Sequence, residues 1–192
     1  MGRNVGNIDP VFGVTSLQKL HIFAKGLRDI SALSKLTNLQ ELIIGDNEIL
    51  DISPLKNLQS LRILDLQENG PLEQVGNEWV AVSKLSDISA LSNLTNLECL
   101  YLMHNAIIDI SPLTGLSNLT KLNLWNNNIS DITPLEGLTN LMELNLSGNN
   151  ISDITPLAEL TNLTTLQLRD IPITASQKAM LEEALPNTNI IW

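Results

Sequence analysis

The sequence is poor in aromatic residues, cysteine and positive charge. Only 3% of its 192 residues are aromatic although 43% are hydrophobic, so the core has to consist mainly of leucine and isoleucine. Cys99 is the single cysteine, which excludes an intrachain disulfide. The 11 Lys and Arg against 21 Asp and Glu give a formal net charge of -10, so we expect no nucleic-acid binding and favour a basic partner.

Long hydrophobic runs are missing as well. Residues 1–16 lack the continuous apolar stretch of a signal peptide, and no later segment approaches the roughly 18 to 20 apolar residues of a membrane span. We therefore expect a soluble chain without membrane insertion. A cytoplasmic protein and part of a secreted or cell-surface protein both fit these features, so the compartment stays open.

One pattern returns along the whole chain, and its clearest copy is LTKLNLWNNNISDITPLEGL at residues 119–138. Its first half, L-x-x-L-x-L, ends with the period of two that a strand needs. The first leucines of successive copies are Leu17, Leu39, Leu61, Leu97, Leu119, Leu141 and Leu163. Their intervals are 22 residues apart from one of 36, so one repeat carries an insertion of 14 residues. Such a unit needs stacked copies on both sides to bury its leucines.

We predict a single domain over residues 1–192. Its parts are a partial N-terminal repeat at 1–16, seven repeats at 17–174 with an insertion at 70–83, and a C-terminal cap at 175–192. The chain thus begins partway through a turn, which we interpret as either a piece of a longer protein or a degenerate natural start. Thr174 and Gln177 have capping-box spacing ahead of apolar residues at helical intervals, which predicts a capping helix at 175–184.

The units resemble leucine-rich repeats over roughly residues 5–192. Their form, L-x-x-L-x-L-x-x-N-x-I-x-D-I-x-P-L-x-x-L, is similar to the 22-residue repeats of the bacterial internalins and of the phosphatase-1 regulatory repeat protein. The resemblance implies an α/β fold of the leucine-rich-repeat solenoid type. In that fold a right-handed, curved coil carries a parallel β-sheet on its concave side and 3-10 or extended segments on its convex side, and we expect the C-terminal helix to cap it.

Two polar residue types recur at fixed positions of the repeat. The asparagines are Asn47, Asn69, Asn105, Asn127 and Asn149, and the aspartates are Asp29, Asp51, Asp87, Asp109, Asp131 and Asp153. We interpret the amides as partners for backbone groups that the bend deprives of strand neighbours. Each aspartate precedes a Ser or Thr by two residues, with Pro or Ala next, so we interpret it as a turn cap. A calcium-binding carboxylate row is the alternative.

No constellation of catalytic residues is evident. Cys99 and His104 are the best pair of nucleophile and base, but five strand residues at about 3.3 Å each separate them by about 16 Å, beyond hydrogen-bond reach. The sequence has no glycine-rich phosphate loop, metal-spaced His or Cys cluster, or Ser-His-Asp arrangement. We therefore predict no enzyme activity, no cofactor and no metal.

The third, fifth and seventh residues of each repeat are free to vary, because strand alternation turns them away from the leucine core. Tyr101, Met103 and Trp125 hold such positions on neighbouring coils. The preceding coils collect acidic residues, namely Glu41, Asp46, Glu48, Asp65 and Glu68. Tyr and Trp are enriched in interface hot spots, so we predict a partner-binding site on the concave face that also includes Asp65 and Glu41. Chance placement or mutual packing of the two rings is the alternative.

The insertion at 70–83 enters next to this site. Leu72, Val75, Trp79 and Val82 are spaced as on one face of a helix, which predicts a short amphipathic helix despite Gly76. Inserted segments of repeat proteins often lie at the binding face, so Trp79 joins the predicted site. Packing of Trp79 onto its own solenoid is an equally good interpretation.

Taken together, these residues favour a non-catalytic interaction module that binds a protein or peptide on its concave face. The alternative is a structural spacer or stalk segment of a larger bacterial surface protein.

Overall fold

The structure, a computed structural model, describes residues 13–23, 26–75, 78–81 and 83–192, with the backbone alone for 72–75 and 78–81. In chain order the strands are β1 (Lys19–His21), β2 (Glu41–Ile43), β3 (Ile63–Asp65), β4 (Leu72–Val75), β5 (Glu78–Ala81), β6 (Cys99–Tyr101), β7 (Lys121–Asn123), β8 (Glu143–Asn145), β9 (Thr165–Gln167) and β10 (Asn189–Ile191). Within this part of the chain, eight of them form one parallel sheet in the order β1-β2-β3-β6-β7-β8-β9-β10. Most of the predicted partial repeat at 1–16 lies outside the described residues.

Each strand of the sheet contributes one leucine or isoleucine to the core. The middle residue is buried in every strand except β10, where Ile190 is partly buried, and the residues before and after it are at least partly exposed, as in β7 with Leu122 between Lys121 and Asn123. Neighbouring strands pair in register, so Leu100, Leu122 and Leu144 lie side by side. The predicted leucine-rich-repeat solenoid is therefore confirmed, with its parallel sheet on the concave side.

Short 3-10 turns form the opposite side of the coils. They span Ser31–Lys35, Ser53–Leu55, Ser89–Leu91, Ser111–Leu113, Thr133–Leu135 and Thr155–Leu157. The preceding aspartates cap them: Oδ1 of Asp131, for example, accepts the backbone N–H of Thr133 at 2.9 Å. The capping interpretation is confirmed, but Pro134 is the second residue of its turn rather than the first. Its missing N–H costs nothing there, because that donor has no partner inside the turn.

The asparagine column after the strands lies inside the molecule. Asn127 is 5% exposed, its Nδ2 donates to the carbonyl oxygens of Leu102 and Leu124 at 3.0 Å each, and its Oδ1 accepts the N–H of Ile107 at 3.0 Å. Asn149 repeats the arrangement one coil later. These amides satisfy backbone groups at the bend, as predicted. In the described part of the chain, no buried side-chain nitrogen or oxygen lacks a hydrogen-bond partner.

A second asparagine column, which our sequence interpretation missed, lies before the strands. The Nδ2 atoms of Asn118, Asn140 and Asn162 each donate to a carbonyl oxygen of the preceding coil, at 2.9, 2.9 and 2.8 Å. The recurrence of asparagine at the last position of the repeat was the available signal. Both columns join adjacent coils, one at each end of the strands.

The insertion is a β-structure, and the predicted amphipathic helix is wrong. β4 and β5 pair antiparallel as a separate two-stranded sheet. Two residues, Gly76 and Asn77, separate them in sequence, and a Gly-Asn pair between two such segments is a hairpin signal that outweighs the helical spacing of the apolar residues. A Cβ on Gly70 would overlap the carbonyl oxygen of Ser83, so glycine is needed where the insertion leaves and rejoins the coil.

The C-terminal cap follows the prediction. Helix α1 spans Ala175–Ala184, Thr174 Oγ1 accepts the N–H of Gln177 at 3.3 Å, and Gln177 Oε1 accepts the N–H of Thr174 at 3.0 Å. Leu181 of this helix is buried in the core, and β10 then closes the sheet by pairing with β9. No helix in the described ranges is long and apolar enough to cross a membrane.

Candidate functional site

The predicted site lies on the concave face of the sheet. This face consists of the first and third residues of each strand together with the residue two places further on. Trp125 is the most exposed of the predicted site residues whose side chains are described, at 40%. Tyr101 and Met103 are half-buried on the coil beside it. The side chain of Trp79 lies outside the described part of the structure, and only its place in β5 is defined.

His104 supports Trp125 from the neighbouring coil. The two ring centroids lie 4.3 Å apart with an interplanar angle of 60°. His104 Nδ1 lies 2.8 Å from Asn126 Nδ2, so the amide can donate to the imidazole. The backbone N–H of Trp125 donates to Asn123 Oδ1 at 3.0 Å. These contacts hold a large, exposed ring in one place without burying it.

The residues just before the inner asparagines have an unusual backbone, and so does Asp170 at the equivalent place before Ile171. Their positive φ angles are 53° at Asp46, 50° at Glu68, 59° at His104, 54° at Asn126, 64° at Gly148 and 57° at Asp170. Asn, Asp and Gly adopt this left-handed conformation most easily, and their recurrence at this position was a signal that sequence reasoning missed. At His104 the bend brings the imidazole beside Trp125, so a scaffold turn also serves the concave face.

Tyr101 and Met103 contact the polar residues of adjacent coils. Asn123 Nδ2 donates to Met103 Sδ at 3.1 Å, and Tyr101 lies in register between Asp65 and Asn123. Burial first and the Cys99 thiol second raise the pKa of the Tyr101 hydroxyl. Tyr101 therefore stays a neutral phenol at physiological pH, able to donate a hydrogen bond.

Glu41 is already occupied by cations of its own chain. Its carboxylate lies 2.6 Å from Lys19 Nζ and 2.7 Å from His21 Nε2. The hydrogen bond from Lys19 first and that from His21 second hold the pKa of Glu41 below its ordinary value. Glu48 pairs likewise with Arg28 at 2.6 Å. The acidic patch predicted from the sequence is therefore partly neutralised, and the structure does not bring Glu41 into contact with the aromatic residues.

Asp65 differs from these carboxylates, although it is half-buried in the middle of the same face. Its Oδ1 accepts the N–H of Gln67 at 2.9 Å, and no cation of the described residues pairs with it. Burial raises the pKa of Asp65, the Gln67 hydrogen bond lowers it, and the charge of Glu68 raises it again, with burial the largest effect. Asp65 and Tyr101 are register neighbours, so the structure does place this acid beside the aromatic site.

The cavity next to Tyr101 on the concave face is small. A cavity of about 90 Å³ lies between Tyr101, Lys121 and Gln167, well below the roughly 300 Å³ at which small-molecule sites begin. No group of three or more His, Cys, Asp or Glu among these residues could hold a metal ion. At that size the cavity cannot enclose a small-molecule ligand of ordinary dimensions.

Comparison with known proteins agrees with this geometry. The family described as Leucine Rich repeats (2 copies) matches at residues 15–57, 37–78 and 117–159, more than half of the chain. No curated protein matched the sequence. Leucine-rich-repeat proteins are in general non-enzymatic scaffolds for protein interaction, and no catalytic family is indicated.

Three solved structures illustrate the similarity. The internalin inlF of Listeria monocytogenes is 31% identical, with a TM-score of 0.87 and coverage of 98% of this chain and 51% of its own. The internalin C2 of the same species is 36% identical, with a TM-score of 0.80 and coverage of 93% and 72%. The plant peptide hormone receptor RGFR1 in complex with RGF2 is 25% identical, with a TM-score of 0.68 and coverage of 85% and 26%. This chain spans about half the length of inlF. The chain belongs to the leucine-rich-repeat family, and its repeats are of the internalin-like type.

Proposed function

We propose that this chain is a non-catalytic interaction module that binds a protein or peptide on its concave face, centred on Tyr101, Met103 and Trp125. The observation that carries the proposal is the state of Trp125. Its side chain is 40% exposed at a position that the leucine core does not use. The indole nevertheless packs against the imidazole of His104, with the two ring centroids 4.3 Å apart. An exposed, pre-positioned indole is typical of interface hot spots.

In the proposed mechanism, the rigid leucine-rich scaffold holds the side chains of the concave face in place before the partner binds. Leu122 and Leu124 are buried on either side of Asn123, and their strand, β7, pairs with both β6 and β8. The side chains at the interface therefore lose little freedom when a partner binds, because the scaffold has already ordered them. Tyr and Trp add large contact areas with only two side-chain torsions each.

Charge favours a basic partner. The formal net charge of -10 attracts cations over a distance of about 8 to 10 Å at ordinary ionic strength. At short range, Asp65 lies beside Tyr101, and none of the described cations pairs with it. Glu41 contributes to the face as part of an ion-pair cluster with Lys19 and His21, and Trp79 extends the proposed surface from the insertion.

The related structures support this type of function. Two are internalins, and one is a plant peptide hormone receptor in complex with RGF2.

Affinity capture with matched variants tests the proposal. The wild type, a Tyr101→Ala/Trp125→Ala double variant and an Ile108→Ala variant are immobilised and incubated with lysate and culture medium of the source organism. Ile108 is the control, since it is 63% exposed but lies away from the sheet. We expect the wild type and Ile108→Ala to retain the same proteins, and the double variant to lose them although it is folded by circular dichroism.

A quantitative measurement then follows on the retained protein. Loss of one hot-spot residue that contributes about 2 kcal/mol raises the dissociation constant about 30-fold, and loss of two raises it about 700-fold if their contributions add. Equal retention by the folded double variant would exclude the concave site. Retention of nothing by the wild type would favour the spacer or stalk interpretation.

A further inference from the structure

The small cavity beside Tyr101 lies over the middle strands of the sheet. It has a volume of about 90 Å³ and is lined by residues of β6, β7, β8 and β9. Leu122 and Leu144 belong to this lining, and each keeps 2% exposure. The middle residues of β2, β3, β6 and β9 are fully buried, namely Leu42, Leu64, Leu100 and Leu166. The outer side chains therefore cover the leucine core less completely at β7 and β8 than on these other coils.

The polar lining of the cavity has hydrogen-bonding groups to spare. Asn145 Oδ1 accepts the N–H of Ser147 at 3.0 Å. Within the described part of the chain, no hydrogen bond involves Asn145 Nδ2, the Thr165 hydroxyl or the side-chain amide of Gln167. Asn145 and Gln167 are register neighbours on β8 and β9, and both line the cavity. One ligand group in the cavity can therefore reach both amides.

The amide of Asn123, also in the lining, is already used. Its Oδ1 accepts the N–H of Trp125 at 3.0 Å, and its Nδ2 donates to Met103 Sδ at 3.1 Å. Asn123 and Asn145 hold the same strand position, but only Asn145 keeps its Nδ2 free of a partner among the described residues. The difference places the available hydrogen-bonding groups at the end of the cavity formed by β8 and β9.

The charges around the cavity compensate each other. Lys121 Nζ and Glu143 Oε1 lie 2.7 Å apart, and the other lining residues are neutral. A charged side chain that entered the cavity would lose water without meeting an uncompensated opposite charge, which is unfavourable. The cavity therefore favours a neutral group.

We infer that this cavity receives the side-chain carboxamide of an asparagine or glutamine of the bound protein or peptide. The inference rests on the proposed function and names the group that the concave face recognises. The carboxamide oxygen accepts from Asn145 Nδ2, and its NH₂ group donates to the amide oxygen of Gln167. The cavity volume of about 90 Å³ equals that of about three water molecules at about 30 Å³ each, which suits a carboxamide with its methylene group.

The two amides also give specificity. An aliphatic side chain of similar shape would cover Asn145 and Gln167 and leave their polar groups without water or a partner. A carboxylate would supply acceptors but no donor, and it would bring a second negative charge beside Glu143. A carboxamide avoids both penalties because it donates and accepts at the same time without a charge.

A library of random dodecapeptides displayed on phage is the probe for this inference. The folded wild-type chain is panned, and the selected peptides are synthesised in three forms. Their shared asparagine or glutamine is kept, replaced by the corresponding acid, or replaced by a hydrocarbon of similar shape, with leucine for asparagine and methionine for glutamine. Affinities are measured against wild type, Gln167→Met, Gln40→Met and the Tyr101→Ala/Trp125→Ala double variant. Gln40→Met is the matched control, because Gln40 is exposed before β2 and does not line the cavity.

We expect the selected peptides to share one asparagine or glutamine. Gln167→Met should weaken their binding at least about tenfold, whereas Gln40→Met should change it less than about twofold. Replacing the carboxamide of the peptide should cause the same loss with wild type and little further loss with Gln167→Met. Nitrogen-15 NMR gives an independent readout on the wild type, in which the side-chain NH₂ signals of Asn145 and Gln167 shift with the intact peptide but not with its hydrocarbon form.

The results that would overturn the inference differ from those that would overturn the proposed function. Peptides that lose binding to the Tyr101→Ala/Trp125→Ala double variant but bind Gln167→Met as well as wild type would exclude the carboxamide site and leave the proposed function intact. So would peptides whose acid or hydrocarbon form binds wild type as tightly as the intact form. Peptides that bind the double variant as well as wild type, or no selected peptides at all, would contradict the proposed function and the inference together.

Discussion

The two faces of the sheet use the same strands for different purposes. In β7 the middle residue Leu122 is 2% exposed inside the leucine core, whereas Lys121 and Asn123 on either side face solvent. Every coil repeats the inner residue type, but the outer ones range from Ile63 to Glu143. The inner residues are therefore fixed by the packing of the core, whereas the outer residues are free to vary, as the proposed binding function requires. Substitutions on the two faces should therefore have separable effects.

The largest expected effect is on the inner face. Leu122→Ala leaves a cavity between coils that pack on both sides, so we expect a loss of about 2 to 5 kcal/mol in the free energy of unfolding. Urea denaturation followed by circular dichroism measures it. Thr165→Ala, on the outer face of β9, is the control and should cost less than about 1 kcal/mol. Similar losses in both variants would break the distinction between the faces.

Substitution in the buried asparagine column should cause the second-largest loss of stability. Asn127→Ala removes the partners of the Ile107 N–H and of the Leu102 and Leu124 carbonyl oxygens, so we expect a loss of about 1 to 3 kcal/mol from unsatisfied backbone groups. Chemical denaturation is again the measurement. The exposed neighbour Asn128 supplies the control, because Asn128→Ala should stay within about 0.5 kcal/mol of wild type. Equal stability of the two variants would refute the structural role of the column.

Trp125→Ala should have a smaller effect on folding. Its ring contact with His104 contributes about 0.5 to 1.5 kcal/mol, far less than a core leucine. Differential scanning calorimetry checks the stability, and the capture assay checks binding in the same sample. A loss of stability as large as that of Leu122→Ala would show that Trp125 belongs to the scaffold rather than to the binding surface.

The smallest effect is a dependence on pH that differs in sign between two aspartates. Burial raises the pKa of Asp65, so the folded state holds its proton more tightly and wild type loses stability as pH rises through the folded-state pKa. Asp65→Asn should therefore be more stable than wild type at neutral pH. The difference should disappear as the solution becomes acidic enough to protonate Asp65 in both the folded and unfolded states.

Asp131 is the matched control for this measurement. Hydrogen bonds from the Thr133 side chain first and backbone second lower its pKa, so its contribution is present at neutral pH and is lost as pH falls below the ordinary value of 3.8. Asp131→Asn should thus be slightly less stable than wild type at neutral pH. Thermal unfolding between pH 3 and pH 7 tests both variants, and a difference of the same sign for both would contradict the assigned environments.

Most of the fold was predictable because the repeat is redundant. A 22-residue period seen several times fixes the strands, the turns and the inner asparagines even where a single copy is ambiguous, and the capping box of Thr174 and Gln177 marks the start of the C-terminal helix. The insertion occurs once, so no second copy is present against which its secondary-structure prediction could be checked. There the helical spacing of Leu72, Val75 and Trp79 was given more weight than the turn signal of Gly76 and Asn77, and the prediction was wrong.

The candidate site was predictable only in part. Alternation along a strand places Tyr101 and Trp125 on the outer face, but it does not say which side chains on adjacent coils will meet. The contact of His104 with Trp125 depends on a left-handed residue, and the pairing of Glu41 with Lys19 and His21 depends on side-chain torsions across two coils. Asp65 and Glu41 are both acidic residues at outward-facing strand positions, so the sequence alone does not distinguish them. In the structure Glu41 pairs with Lys19 and His21, whereas Asp65 accepts the Gln67 N–H and pairs with none of the described cations.

The insertion has a consequence for how such a protein can change over time. β3 and β6 pair in the same register as any other neighbours although 36 residues rather than 22 separate Ile63 from Cys99. The chain leaves and returns beside Gly70, so the length of the segment between these points is independent of the geometry of the array. Evolution, or a protein engineer, can replace this segment with one of another length or sequence while every coil keeps its place.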